Sequence, residues 1–165
     1  MPNKITPVNP ALAYRFQSLP FVGRVTEFRR SAMKMFHLSE PKHGWIDVTF
    51  GEPPEPFTQT VSDVPNDCLR DLAAAIARLS RHSTHEVVKF SLEPAFMTCE
   101  LRRESDSVRV VLSHPDYDGA AFEATFPLRA FARRVRSELL RIQPRYSVVD
   151  GWTQPFPEHE VANLA

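Results

Sequence analysis

Glycine is scarce in this chain, with five among 165 residues. Phosphate-cradling loops and dinucleotide fingerprints need glycines clustered at fixed spacing, and no such cluster is present. Cysteine is scarcer still, with only Cys68 and Cys99. Two thiols outside any CxxC cannot build a disulfide framework. Both lie in apolar periodic patterns, so they are expected as buried free thiols, which suits a reducing cytoplasm. Net charge is also absent, with 20 basic against 20 acidic residues. A dedicated nucleic-acid binder usually carries a basic excess, so nucleic acid is disfavoured as a partner. No stretch approaches the roughly 18 apolar residues of a membrane span. The opening MPNKITPVNP lacks the apolar run of a signal peptide.

Proline, by contrast, is abundant, with 15 residues, most of them gathered at Pro2 to Pro20, Pro53 to Pro65 and Pro144 to Pro157. Proline interrupts helices and sheets, so these stretches are connectors and arms. The length fits one domain that buries roughly 70% of its unfolded surface without a covalent staple. The spacing divides the chain into an N-terminal arm and helix (1–38), a main domain (39–145) and a C-terminal tail (146–165). In the first part, Val25, Phe28, Ala32, Met35 and Phe36 recur at helical spacing over 24–38.

The main domain alternates between two periodicities. GWIDVTFG puts Ile46, Val48 and Phe50 on one face of a strand. FTQTVS, rich in threonine, is a second strand. VPNDCLRDLAAAIARLS carries the helical stripe Leu69, Leu72, Ala73, Ile76 and Leu79, with Asn66 or Asp63 as the cap. EVVKFSL, FMTCELRR, SVRVVLS and AAFEATF then alternate with period two. Their connectors EPA, RESDS and HPDYDG are too short for parallel crossovers, so antiparallel hairpins are predicted. A final helix over 128–142 has Leu128, Phe131, Ala132, Val135, Leu139 and Ile142 on one side. The expected fold is α+β: an antiparallel sheet of about five to six strands with helices packed on one face.

Candidate chemistry centres on acids in turns. Glu93 precedes Pro94 at a strand end and could serve as a general base, but proline restricts its predecessor to extended geometry suited to a turn. His114, Asp116 and Asp118 sit in HPDYDG, which lacks the spacing of a calcium loop and consists of turn formers. His82 and His85 have no convincing third ligand, so no metal or other cofactor is expected. There is no GxSxG nucleophile elbow. The acids Asp47, Glu52, Glu55, Glu93, Asp116 and Asp118 are therefore assigned to binding a partner. The rival assignment is a small enzyme with an acid and histidine cleft of Glu93, His114 and Asp116.

Charge is segregated along the chain. Segment 40–67 is acidic, and segment 128–145 holds Arg129, Arg133, Arg134, Arg136, Arg141 and Arg145 against Glu138 alone. Such segments are either solvated faces or surfaces complementary to a partner. The succession GWIDVTFG, NDCLRDLAAAIARL, VVKFSLEP, LRRESDSVRVVL and FEATFPLRAFARRVRSELLRI resembles small bacterial domains suspected to be immunity proteins of polymorphic toxins. The resemblance covers about residues 44–143 and implies a non-catalytic protein that binds and blocks a toxin. A structural or regulatory homodimer is the third possibility. Tyr14, Phe16, Leu19, Phe21 and Val22 would form an exposed apolar cluster, and a two-fold dimer through residues 11–38 would cover it. Light scattering of the intact chain tests this, and a monomer at tens of micromolar rejects it.

Overall fold

The computed structural model describes residues 35–164. Over these residues the fold is α+β, as the alternation of periodicities predicts. Seven strands form one antiparallel sheet in sequence order: β1 (Phe36–Leu38), β2 (Trp45–Phe50), β3 (Phe57–Ser62), β4 (His85–Ser91), β5 (Phe96–Glu104), β6 (Ser107–Ser113) and β7 (Phe122–Pro127). Helix α1 (Cys68–Arg81) joins β3 to β4, α2 (Leu128–Ile142) follows β7, and α3 (Glu158–Ala162) closes the described chain. The predicted stripes of α1 and α2 are all buried. They meet the strand faces of Val88, Phe90, Met97, Cys99, Leu101, Val108, Val110 and Leu112, which are buried as well. Cys68 and Cys99 are buried free thiols, and burial pushes both thiol pKa values up.

Two local expectations are corrected. Phe36–Leu38, expected at the end of a 24–38 helix, forms β1 instead. Phe36 and Leu38 satisfy a period of two as well as a helical one, and β2 supplies a ladder through His37 opposite Thr49. The rest of that helix and most of the proposed dimer segment 11–38 lie outside the described residues. The cap of α1 is Asp67, whose carboxylate accepts the Arg70 N–H at 3.2 Å. Asn66 bonds the Lys89 carbonyl and Asp71 instead, and Asp63 is occupied elsewhere.

Among the described residues strand β1 is an edge of the sheet, and unpaired edge groups invite aggregation. Side chains of α2 cover it. Arg134 Nε donates to the Phe36 carbonyl at 2.7 Å, Arg141 donates to the Leu38 carbonyl, and the Leu38 N–H donates to Glu138 Oε2 at 3.1 Å. Glu138 is 3% exposed and ion-pairs with Arg134 and Arg141, each at 2.9 Å. Two of the five arginines of α2 thus work inside the fold.

The 146–164 stretch also enters the core. Trp152 is fully buried, with Tyr146, Val161 and Leu164 beside it in the apolar cluster. Trp152 Nε1 donates to Asp67 at 3.1 Å. Buried Asp63 accepts the Thr153 N–H at 2.7 Å and its hydroxyl at 2.5 Å. Asp63→Ala would remove the charged acceptor of both bonds to Thr153. A loss of about 1–3 kcal/mol is expected. Thermal unfolding of the two proteins checks it, and an unchanged midpoint would show that Asp63 does not hold the segment.

Candidate functional site

The sheet does not run flat from β3 to β4. The two strands pair only at Ser62 opposite Ser91, the last residue of each. In an antiparallel pair this register carries the rest of β3 past the end of β4. The β2–β3 loop therefore reaches the start of β7, where Phe122 packs against Phe50 and Phe57 with ring centroids 6.2 and 6.3 Å apart. Gly51 has φ +86°, and a Cβ there would come within 2.8 Å of the Phe122 ring, so the approach depends on glycine. The β4–β5 turn lies at the same end, because Ser91 opposes Phe96 and Thr98 opposes Ser113.

Three loops are thus gathered at one end of the molecule: GEPPEP (51–56), LEPA (92–95) and HPDYDGAA (114–121). They hold Glu52, Glu55, Glu93, Asp116 and Asp118 and no lysine or arginine. Five of the six acids singled out in the sequence come together here, from three separate segments. Asp47 does not join them. It lies on the outward face of β2 and accepts the Thr60 hydroxyl at 2.6 Å. The Asp116 side chain is 84% exposed, and Tyr117 beside it is 59% exposed.

No family model, curated protein or solved structure matches the chain.

The proposed cleft residues have separate partners. Glu93 has φ +39°, so the extended geometry expected ahead of Pro94 is not adopted. The tight β4–β5 turn imposes the left-handed conformation, and the Glu93 carboxylate takes the Ser62 hydroxyl hydrogen bond. The His114 ring is tied into its own turn: Nδ1 accepts the Asp116 N–H at 3.2 Å, and the ring meets Tyr117 edge-on at 5.3 Å. No hydrogen bond or ion pair links Glu93 to His114 among the described residues. His85 pairs with Glu100 at 2.7 Å on the outward sheet face, while His82 ends α1. Among the described residues, no three His, Cys, Asp or Glu side chains are grouped to hold a metal ion.

Sequence reasoning passed over Tyr117 as an individual residue. Its signal was an aromatic flanked by turn formers, with no periodic pattern to bury it. It also counted Glu138 only as the lone acid of a basic segment, because nothing local reveals that the β1 edge lies across from it.

Proposed function

We propose that this chain is a non-catalytic protein-binding domain that engages a basic partner through its acidic loop end, acting as an immunity-type inhibitor of a bacterial toxin by occlusion. The observation that carries this is the convergence of three loops bearing five carboxylates, no lysine or arginine, and an exposed tyrosine. Charge of one sign speeds encounter with an oppositely charged partner and rejects wrong ones. A tyrosine among polar neighbours is a common anchor of binding energy. The rival enzyme has less support, since the Glu93 carboxylate bonds Ser62 at the end of β3 while His114 Nδ1 is taken by its own turn. The resemblance in sequence pattern supplies the toxin-blocking role, and the two buried thiols accord with a cytoplasmic setting.

The test is capture of a partner from bacterial extract, followed by binding kinetics of that purified partner. Glu55→Lys/Asp116→Lys/Asp118→Lys is expected to lower the association rate by about tenfold or more at low salt, with the difference shrinking as salt rises. Tyr117→Ala is expected to cost about 2 kcal/mol of affinity. Equal rates for the triple variant would remove the acidic end from the interface. The toxin assignment predicts that the partner halts growth when expressed alone and not when co-expressed with this protein. A partner harmless on its own would defeat that part.

A further inference from the structure

The arginines of segment 128–145 differ in their partners. Arg134 and Arg141 are held by the β1 edge and Glu138, and Arg145 reaches Glu40 and Asp150. Arg129 and Arg133 are exposed and have no ion-pair partner among the described residues. Spaced i, i+4, they stand on one side of the helix. They line a groove of about 740 Å³ between the start of α2, the β5–β6 hairpin and the end of α1.

Arg103 comes into the same groove from β5. Its guanidinium is fixed by two carbonyls: Nη1 donates to Leu79 at 3.0 Å and Nε to Ser105 at 3.1 Å. Those bonds orient the fork and leave further N–H donors for a ligand. Ser80 adds a hydroxyl, and Asp106 is the one acid in the lining. Three guanidinium groups face one carboxylate, an excess of two positive charges in a cleft of small-ligand size. The first turn of α2 contributes no acid to offset it.

We propose that this groove is a binding site for a small phosphate-bearing anion, with Arg103, Arg129 and Arg133 as its donors. Planar guanidinium forks match phosphate oxygens two at a time, and Arg103 is preorganised to do so. The doubly positive excess fits a diphosphate or the polyphosphate tail of a nucleotide better than a single monovalent anion. The site lies apart from the acidic loops and is independent of the protein-binding role.

Titration calorimetry of the full chain with pyrophosphate, ATP, inorganic phosphate and citrate tests this. Pyrophosphate and ATP are expected to bind one to one, more tightly than inorganic phosphate, with affinity falling as salt rises. Arg129→Ala/Arg133→Ala is expected to weaken binding by about tenfold or more, since charge-assisted donors are lost. Both positions are exposed, and circular dichroism verifies that the variant folds. Arg109→Ala, on the outward sheet face where Arg109 pairs with Glu123 at 2.8 Å, is expected to bind as the parent does. If ATP binds and pyrophosphate does not, the phosphate assignment falls, because the base or sugar then drives recognition. No saturable binding at millimolar concentration overturns the site. So does binding that survives loss of both arginines, or citrate binding as tightly as pyrophosphate.

Discussion

Glu138→Ala is expected to destabilise the protein by about 3 kcal/mol. Removing one member of a buried ion pair costs about 3–5 kcal/mol, because the remaining charge is left unmatched. Here Arg134 is the more enclosed partner, with its side chain 18% exposed, while Arg141 at 40% can turn to water. That relief places the expectation at the low end. The variant also strips the Leu38 N–H of its acceptor, on an edge strand of three residues. Urea unfolding at neutral pH measures the loss. A change below about 1 kcal/mol would mean that the α2 cover over β1 contributes little.

The same residue should show in the pH dependence. Burial acts to raise the Glu138 pKa, but the Leu38 N–H, Arg141 and Arg134 outweigh it and hold the carboxyl below its ordinary value. A folded-state pKa below the unfolded one gives stability that is fully present above about pH 4.3 and is lost as pH falls through the folded value. Glu138→Ala should therefore lose less stability than the parent protein between about pH 5 and 3. Glu86 and Glu100, held low by Arg78 and Arg102, remain in both proteins, so the difference reports Glu138 together with the His37 ring it pairs with at 3.0 Å. Parallel acid profiles would contradict the arrangement.

Phe131→Ala is expected to cost about 3–5 kcal/mol, the range for a buried aromatic truncated to alanine. Phe131 is fully buried where three elements meet. Its ring stacks on Phe126 of β7 at 5.3 Å and 7°, and meets Phe36 of β1 edge-on at 6.1 Å. One truncation therefore opens a cavity between α2 and two strands that do not pair with each other. Large cost follows where surroundings cannot collapse, and sheet backbones on two sides resist collapse. A denaturation shift under about 1 kcal/mol would show that the stripe of α2 does not face this core.

Local pattern was enough to establish much of the fold. Alternation in EVVKFSL, FMTCELRR, SVRVVLS and AAFEATF, with connectors too short to cross over, determined four antiparallel strands and their inward faces. The 128–142 stripe determined which side of α2 is buried, and proline with acids in short loops determined the turns. These features depend on residues a few positions apart, where strand and helix geometry fixes the spacing. The tertiary structure alone decided what depends on distant segments. Phe36–Leu38 became a strand because β2 offered a ladder, overriding a helical spacing. Glu138 became the centre of an edge cover because β1, some hundred residues earlier in the chain, presented an N–H to it. Glu52, Glu55, Glu93, Asp116 and Asp118 lie at one end of the molecule because β3 overshoots β4 and Phe122 packs on the residues that flank the β2–β3 loop. Composition names the charged residues, but their neighbours across the sheet determine whether each one holds the fold or faces a partner.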